Sequence, residues 1–395
     1  MIKVRIKESL QWVDNHFRDD IGEQAICYAR QCIKYKPYNP PGNEKEAAVY
    51  LAGILQTAGF ETEVDEYEKN RCNVIATYGN RDDIALILNG HLDVVPAFGQ
   101  WARDPSGAQR EKGILYGRGS CDMLGGCAAI VAVAKLIAGQ HIAPKRGIMV
   151  LLVSDEENVN KGIRHMLSKG ALKAECALIA EPTECEIQLG NRGFCSFFVK
   201  TTGTACHASE PWNGVNAIYK MGEVIRRIEV YADDLKAVTN PDLGQATACI
   251  GTIKGGIRLN TVPDECMIEV ERRLLPGETA EKVHKEMQQV VGKWGEVQER
   301  SYFPASLMDH DHQMVSACCR ILEHIRGKMP RVSVFRGCTE ASMFSVFCKI
   351  PTLLIGPGSL DQAHRMNEFC KEQDIIDCVR LFSALIHYYI NREAV

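Results

Sequence analysis

Four short apolar runs constrain this chain more than any other feature: CNVIATY (72–78), IALIL (84–88), IMVLLV (148–153) and ALIA (177–180). Each is the length of a strand, rich in β-branched residues, and too uniformly apolar to leave one face in water. Between them lies GGCAAIVAVAKLI (Gly125–Ile137), apolar on nearly all sides, which reads as a buried helix. Alternation of this kind predicts an α/β domain, a central mixed sheet flanked by helices. The same texture returns at PTLLI (Pro351–Ile355) and in an amphipathic C-terminal helix.

The middle of the chain reads differently. Phe194–Lys200, Ala248–Lys254, Met267–Leu274 and Val297–Tyr302 read as strands. Ala217, Met221, Val224 and Ile228 fall at helical spacing, as do Val283, Met287 and Val290. The order is βαββαβ, a compact α+β sandwich. We therefore expect a discontinuous first domain, 1–191 and 304–395, with an inserted domain at 192–303. At 395 residues and 46% apolar content, two domains can each bury a core.

Charge excludes several classes. A net charge of −4 with scattered Lys and Arg argues against nucleic acid as a partner, and no apolar run approaches the length of a membrane span. The N-terminal MIKVRIKESLQWVDNHF reads as an amphipathic helix rather than a signal peptide. Seventeen cysteines, an odd number with no Cys-x-x-Cys pair, are expected to be reduced thiols in a cytoplasmic protein.

Chemistry collects just beyond the strands, where open α/β sheets bind ligands. IALILNG runs into His91 and Asp93; IMVLLVS into Asp155, Glu156 and Glu157; ALIA into Glu181; PTLLIGPG leads to His364; and Asp122 precedes the buried helix. A lone histidine there is usually structural, and paired glutamates are usually a solvated loop. Five segments aiming acids and imidazoles at one edge are another matter, because uncompensated carboxylates would repel one another. One or two divalent cations remove that difficulty, and N/O donors without thiolate suit zinc, with cobalt or manganese as substitutes. Asp93, two residues from His91, either accepts a hydrogen bond from the imidazole or forms the turn before Pro96. GRGSCDMLGG lacks the third glycine of a dinucleotide loop and would set Asp122 against a pyrophosphate, so a nicotinamide cofactor is excluded.

The motifs GHLDVVP, LYGRGSCDMLGG, SDEEN, AEPTE, GTACHASEPWNGVNAI, NTVPD, RRLLPG, CTEA and GPGSLDQAHRMNEF, in this order from about Pro40 to Phe369, resemble a known family. It is that of the dinuclear zinc amidohydrolases: acetylornithine deacetylase, succinyl-diaminopimelate desuccinylase, aminoacylase and glutamate carboxypeptidase. WARDPSG, CTEA and GPGS–QAH–NEF are most similar to the acetylornithine deacetylase branch. The resemblance implies a zinc-peptidase-like catalytic domain with an inserted lid and dimerisation domain. It implies two Zn2+ per chain, with Asp122 bridging them, His91 and Glu181 completing one site, and Glu157 and His364 the other. Glu156 would be the general base and Asp93 the partner of His91, with a cis peptide at Asp122–Met123. From the inserted domain, His207 would polarise the scissile carbonyl, often in a neighbouring subunit, and Asn260 and Arg273 would hold substrate. Leu124, where the family usually has Lys, and Arg258, beside NTVPD, depart from the pattern.

The expected function is metal-dependent hydrolysis of an amide in a small N-acyl-amino acid, with a metal-generated hydroxide as nucleophile and Glu156 moving the proton. A carboxypeptidase- or dipeptidase-type activity is the alternative within the family, and a catalytically silent binding protein the alternative outside it. The expected partners are a small N-acyl-amino acid or peptide and a second copy of the chain.

Overall fold

The computed structural model describes residues 2–140 and 144–392. The chain divides into two compact units, one of Met1–Gly190, Met308–Phe335 and Thr339–Val395, the other of Asn191–Leu307 with Arg336–Cys338.

Four strands of the first unit lie side by side and parallel: Gly147–Val153, Ile84–His91, Cys176–Ile179 and Thr352–Leu354. On one side Arg71–Tyr78 and then Glu61–Glu68 add antiparallel; on the other Ile187–Asn191 does the same, so the sheet is mixed. Every residue of Ile84–His91 is buried, as its composition requires of a strand covered on both faces. The helix Leu124–Gly139 is buried at every position through Ala134, where the helices Asp19–Lys34 and Glu372–Ile390 pack against it. Glu61–Glu68, ETEVDEYE, carries no apolar run, yet it forms the sheet's edge strand, where acidic side chains stay in water and discourage further pairing.

In the second unit an antiparallel sheet runs in the order Thr247–Gly255, Glu265–Leu274, Gly193–Thr202, Glu296–Phe303. Its two central strands alternate buried and open positions, and Phe197, Val199, Ile268 and Val270 meet Met221, Val224, Val283 and Met287 from two helices. Those helices, Ala217–Asp234 and Ala280–Val291, start where Asn216 and Thr279 accept hydrogen bonds from backbone N–H groups of the first turn. A short hairpin, Thr239–Asn240 with Gly244–Gln245, is added to the βαββαβ order after the first of these helices. Every cysteine is a free thiol, and among the described residues no helix is long and apolar enough to cross a membrane.

Candidate active site and metal centre

Parallel pairing delivers the ends of several strands to one edge of the sheet. His91 is paired with Val153, the residue before Ser154–Glu157, and Asn89 is paired with Ile179, so the same register carries Glu181 level with His91. Asp122 arrives from the turn ahead of the helix Leu124–Gly139, which approaches closely because two residues lack side chains. A Cβ at Gly126 would stand 2.4 Å from the Ala180 carbonyl, and one at Gly90 would stand 2.8 Å from Cys127 Sγ. The Asp122–Met123 peptide is cis.

His91, Asp122 and Glu157 offer donor atoms that lie within 4.8 Å of one another. The two oxygens of Asp122 face different imidazoles, Oδ1 at 3.2 Å from His91 Nε2 and Oδ2 at 3.4 Å from His364 Nε2. His364 Nε2 is also 2.8 Å from Glu157 Oε2. Glu181 is buried among these groups, and its charge is felt by His91. Glu157 Oε1 is buried with no hydrogen-bond partner, an acceptor that a cation would satisfy. The donor set is imidazole and carboxylate, without thiolate, and it fits zinc-type ligation.

Asp93 differs from expectation. The strand stops at His91, so the alternation that would turn Asp93 toward the ring does not continue. His91 Nδ1 meets the backbone carbonyl of Asp93 at 2.9 Å, while the carboxylate is 3.8 Å away. That carboxylate instead accepts from the backbone N–H of Glu156 and of Glu157, both at 3.1 Å, and from Asn39 Nδ2 at 2.8 Å. Asp93 thus orients the turn that presents the two glutamates. Asp155, at φ +69°, is held in this uncommon conformation by Asn39 Nδ2 at 3.0 Å, Lys161 N at 3.0 Å and Arg71 Nη2 at 2.9 Å. Arg71 also pairs with buried Glu44 at 2.8 Å.

Electrostatics follow from crowding acids in a dry place. Burial pushes the carboxyls of Glu156 and Glu181 well above the usual carboxylate range, and neighbouring acids add to it. Burial raises Glu157 too, against the bond to His364. Burial also works against the Asp122 carboxylate, but the hydrogen bond to His91 and the charges of His91, His364 and Arg118 outweigh it and hold it low. For His91 the same contest, burial against Asp122, Glu156 and Glu181, ends with the imidazolium strongly favoured. A cation bound among these groups would offset the crowding.

Sequence reasoning missed two acids here. Glu340, from CTEA, is buried beside this cluster and pushed up to about 8 by burial, with the charge of His91 opposing and that of Asp93 adding. Glu368, from NEF, is buried and pushed up to about 7 by burial. Both stand in motifs that carry the resemblance, and that placement was the only available signal. Asn39 and Arg71 had none.

The second unit carries the remaining expected residues. His207 is exposed, with Nδ1 at 2.6 Å from Ser209 Oγ, and lies next to exposed Asn260, whose carbonyl accepts from Ala208 N at 3.0 Å. Arg273 is half-buried on Glu265–Leu274, and its Nε donates to Glu271 at 2.7 Å.

Residues 87–388 match the family described as Peptidase family M20/M25/M40. The chain belongs to that family. Its curated relatives include the acetylornithine deacetylase of Proteus mirabilis, 32% identical over 334 residues, covering 81% of this chain and 83% of that one. That of Salmonella arizonae is 30% identical over 353 residues, covering 86% and 89%. Among solved structures, the M20 metallo-carboxypeptidase Sso-CP2 of Sulfolobus solfataricus superposes with a TM-score of 0.77 at 18% identity, covering 93% of this chain and 99% of that one. The YXEP protein of Bacillus subtilis, described as a dinuclear metal binding peptidase, gives 0.70 at 16%, covering 94% and 99%. This M20 chain is a hydrolase of the amidohydrolase and metallopeptidase kind.

Proposed function

We propose that the chain is a deacylase of small N-acyl-amino acids, similar in reaction to acetylornithine deacetylase, working with two zinc ions. The observation that carries this is the Asp122 carboxylate, one oxygen toward His91 and the other toward His364. Asp122 would be shared by both ions, with His91 and Glu181 holding one and Glu157 and His364 the other. When bound, such a pair supplies Lewis acidity and a water acidic enough to attack a carbonyl at neutral pH.

The chain's own residues do the rest. Glu156, buried beside the metal ligands, takes the proton of the attacking water as a carboxylate and delivers it to the leaving amine. Asp93 keeps Glu156 and Glu157 aimed through their backbone N–H groups. We assign His207 to the developing oxyanion, since Ser209 occupies Nδ1 and leaves Nε2 to be presented. Asn260 and Arg273 are assigned to the substrate carboxylate, for which a planar guanidinium is well shaped.

The test is zinc analysis joined to a hydrolysis screen over N-acetyl, N-succinyl and N-formyl amino acids and dipeptides. About two zinc per chain, with N-acyl-amino acid cleavage lost to a chelator and restored by zinc or cobalt, is the expected result. Cleavage confined to dipeptides would replace the deacylase reading with a peptidase one, and a metal-free active chain would end both.

We also propose a homodimer built through the second unit. The strand Thr247–Gly255 is an open sheet edge, and nearby side chains are apolar and bare: Leu259 is 101% exposed, Ile257 86%, Tyr219 80% and Ile253 54%. Such an edge is normally covered, and two-fold pairing with itself is the simplest cover. Sedimentation at micromolar concentration should give a dimer, and Ile253→Lys with Leu259→Lys a monomer that still takes up zinc. A monomeric parent chain would sink the idea.

A further inference from the structure

We propose that Glu368 is a positioning residue: its buried carboxylate shapes the turn that carries Asp122 and fixes that turn to the loop that carries His364. The inference rests on the metal-centre reading above and assigns Glu368 no contact with metal or substrate.

The turn Arg118–Asp122 is neither helix nor strand, and three of its N–H groups point at one carboxylate. Gly119 N donates to both oxygens of Glu368, at 3.0 and 3.1 Å; Cys121 N donates to Oε1 at 2.9 Å; and Asp122 N donates to Oε1 at 3.1 Å. Arg118 Nη1 adds a charged bond to Oε2 at 2.6 Å. The other two N–H groups of the turn, those of Arg118 and Ser120, donate to the Pro105 and Gly117 carbonyls at 2.8 and 3.1 Å. Gly119 sits at φ +88°, and a Cβ there would stand 2.7 Å from Val94 and Leu124. A carboxylate surrounded by donors makes bonds about twice as strong as neutral ones. Glutamine cannot replace it, because its amide nitrogen would face N–H groups with donors of its own.

Position in the chain makes this a matter of ligand geometry. Glu368 follows His364 by four residues, so the carboxylate ties the His364 loop to the very N–H of Asp122. Two further bonds join the same segments, Gly117 N to the Glu368 carbonyl at 3.0 Å and Cys121 Sγ to the Ser359 carbonyl at 3.2 Å. The 3.4 Å between His364 Nε2 and Asp122 Oδ2 is therefore set through Glu368. A looser support would let that separation wander, and a ligand set displaced by an ångström binds its ion poorly.

The test is zinc titration of the metal-stripped full chain against a chromophoric chelator, comparing the parent with Glu368→Gln and Glu368→Asp. The parent should take up two zinc, and in Glu368→Gln the weaker site should lose about 10–100-fold in affinity, with kcat lowered and KM little changed. Glu368→Asp keeps a charge opposite buried Arg118, which guards against loss of the fold, and it should show a smaller loss of the same kind. Folded variants with a lower melting temperature but unchanged affinity at both sites would reduce Glu368 to a fold clamp and overturn the proposal. A parent chain that takes up no zinc would sink the metal-centre reading along with it.

Discussion

The first unit hides its central strands on both faces and keeps charge inside, whereas the second hides one face and keeps nearly all its charge outside. Ile84–His91 is buried at every position, while Gly193–Thr202 alternates. Glu44, Arg71, Asp93, Asp122, Asp155, Glu181, Glu340 and Glu368 are all buried in the first unit; the second buries Arg272 with Glu278. A strand covered on both faces has no polar side on which to carry an acid, so ionisable groups accumulate where such strands end. An amphipathic sheet has a wet face throughout, and its acids stay there at little cost. Buried charge needs something to answer it: Arg71 and Arg118 do so on the protein's side, and the proposed cations would do so at the centre.

The largest test of that contrast exchanges one carboxyl for its amide in each unit. Glu156→Gln should lower kcat by about 10²–10⁴-fold with zinc content unchanged, measured as initial rates beside metal analysis. Glu269→Gln, on the open side of the second unit's sheet, should leave both unchanged. Loss of zinc together with activity in Glu156→Gln would make Glu156 a ligand and redraw the centre.

What could be read from the sequence divides along the same line. Strands with a single strong period were legible: Ile148–Val153 became Gly147–Val153, and Val297–Tyr302 became Glu296–Phe303. Residues at strand ends were legible as a class, because several separate segments place acids or imidazoles there, although any one of them alone is usually structural. Asp93 was placed at the right end and given the wrong bond, since extended geometry was carried past the last paired residue. Glu61–Glu68 was missed because an edge strand needs no apolar pattern. Asn39 and Arg71 were beyond reach for a different reason: each acts through partners many residues away, Arg71 on Asp155 and Asn39 on Asp93. No local periodicity encodes such contacts.

Removing one arginine from each unit sharpens the comparison at a smaller scale. Arg71 holds Glu44 at 2.8 Å and Asp155 at 2.9 Å, with all three side chains at 5% exposure or less. Burial already pushes Glu44 up to about 7 even with Arg71 in place, so the guanidinium is what keeps two acids tolerable there. Arg71→Met would leave both uncompensated and should cost about 3–5 kcal/mol of stability, read as a lower midpoint in urea. Asp155 also sets the turn of Glu156 and Glu157, so the folded fraction should lose activity as well. Arg300 makes a bond of similar length, 2.7 Å to Glu269, but the two side chains are 56% and 32% exposed. There water and salt replace what the substitution removes, and Arg300→Met should cost about 0–1 kcal/mol. Equal losses from the two substitutions would mean that depth does not govern these pairs, and the contrast between the units would fail with them.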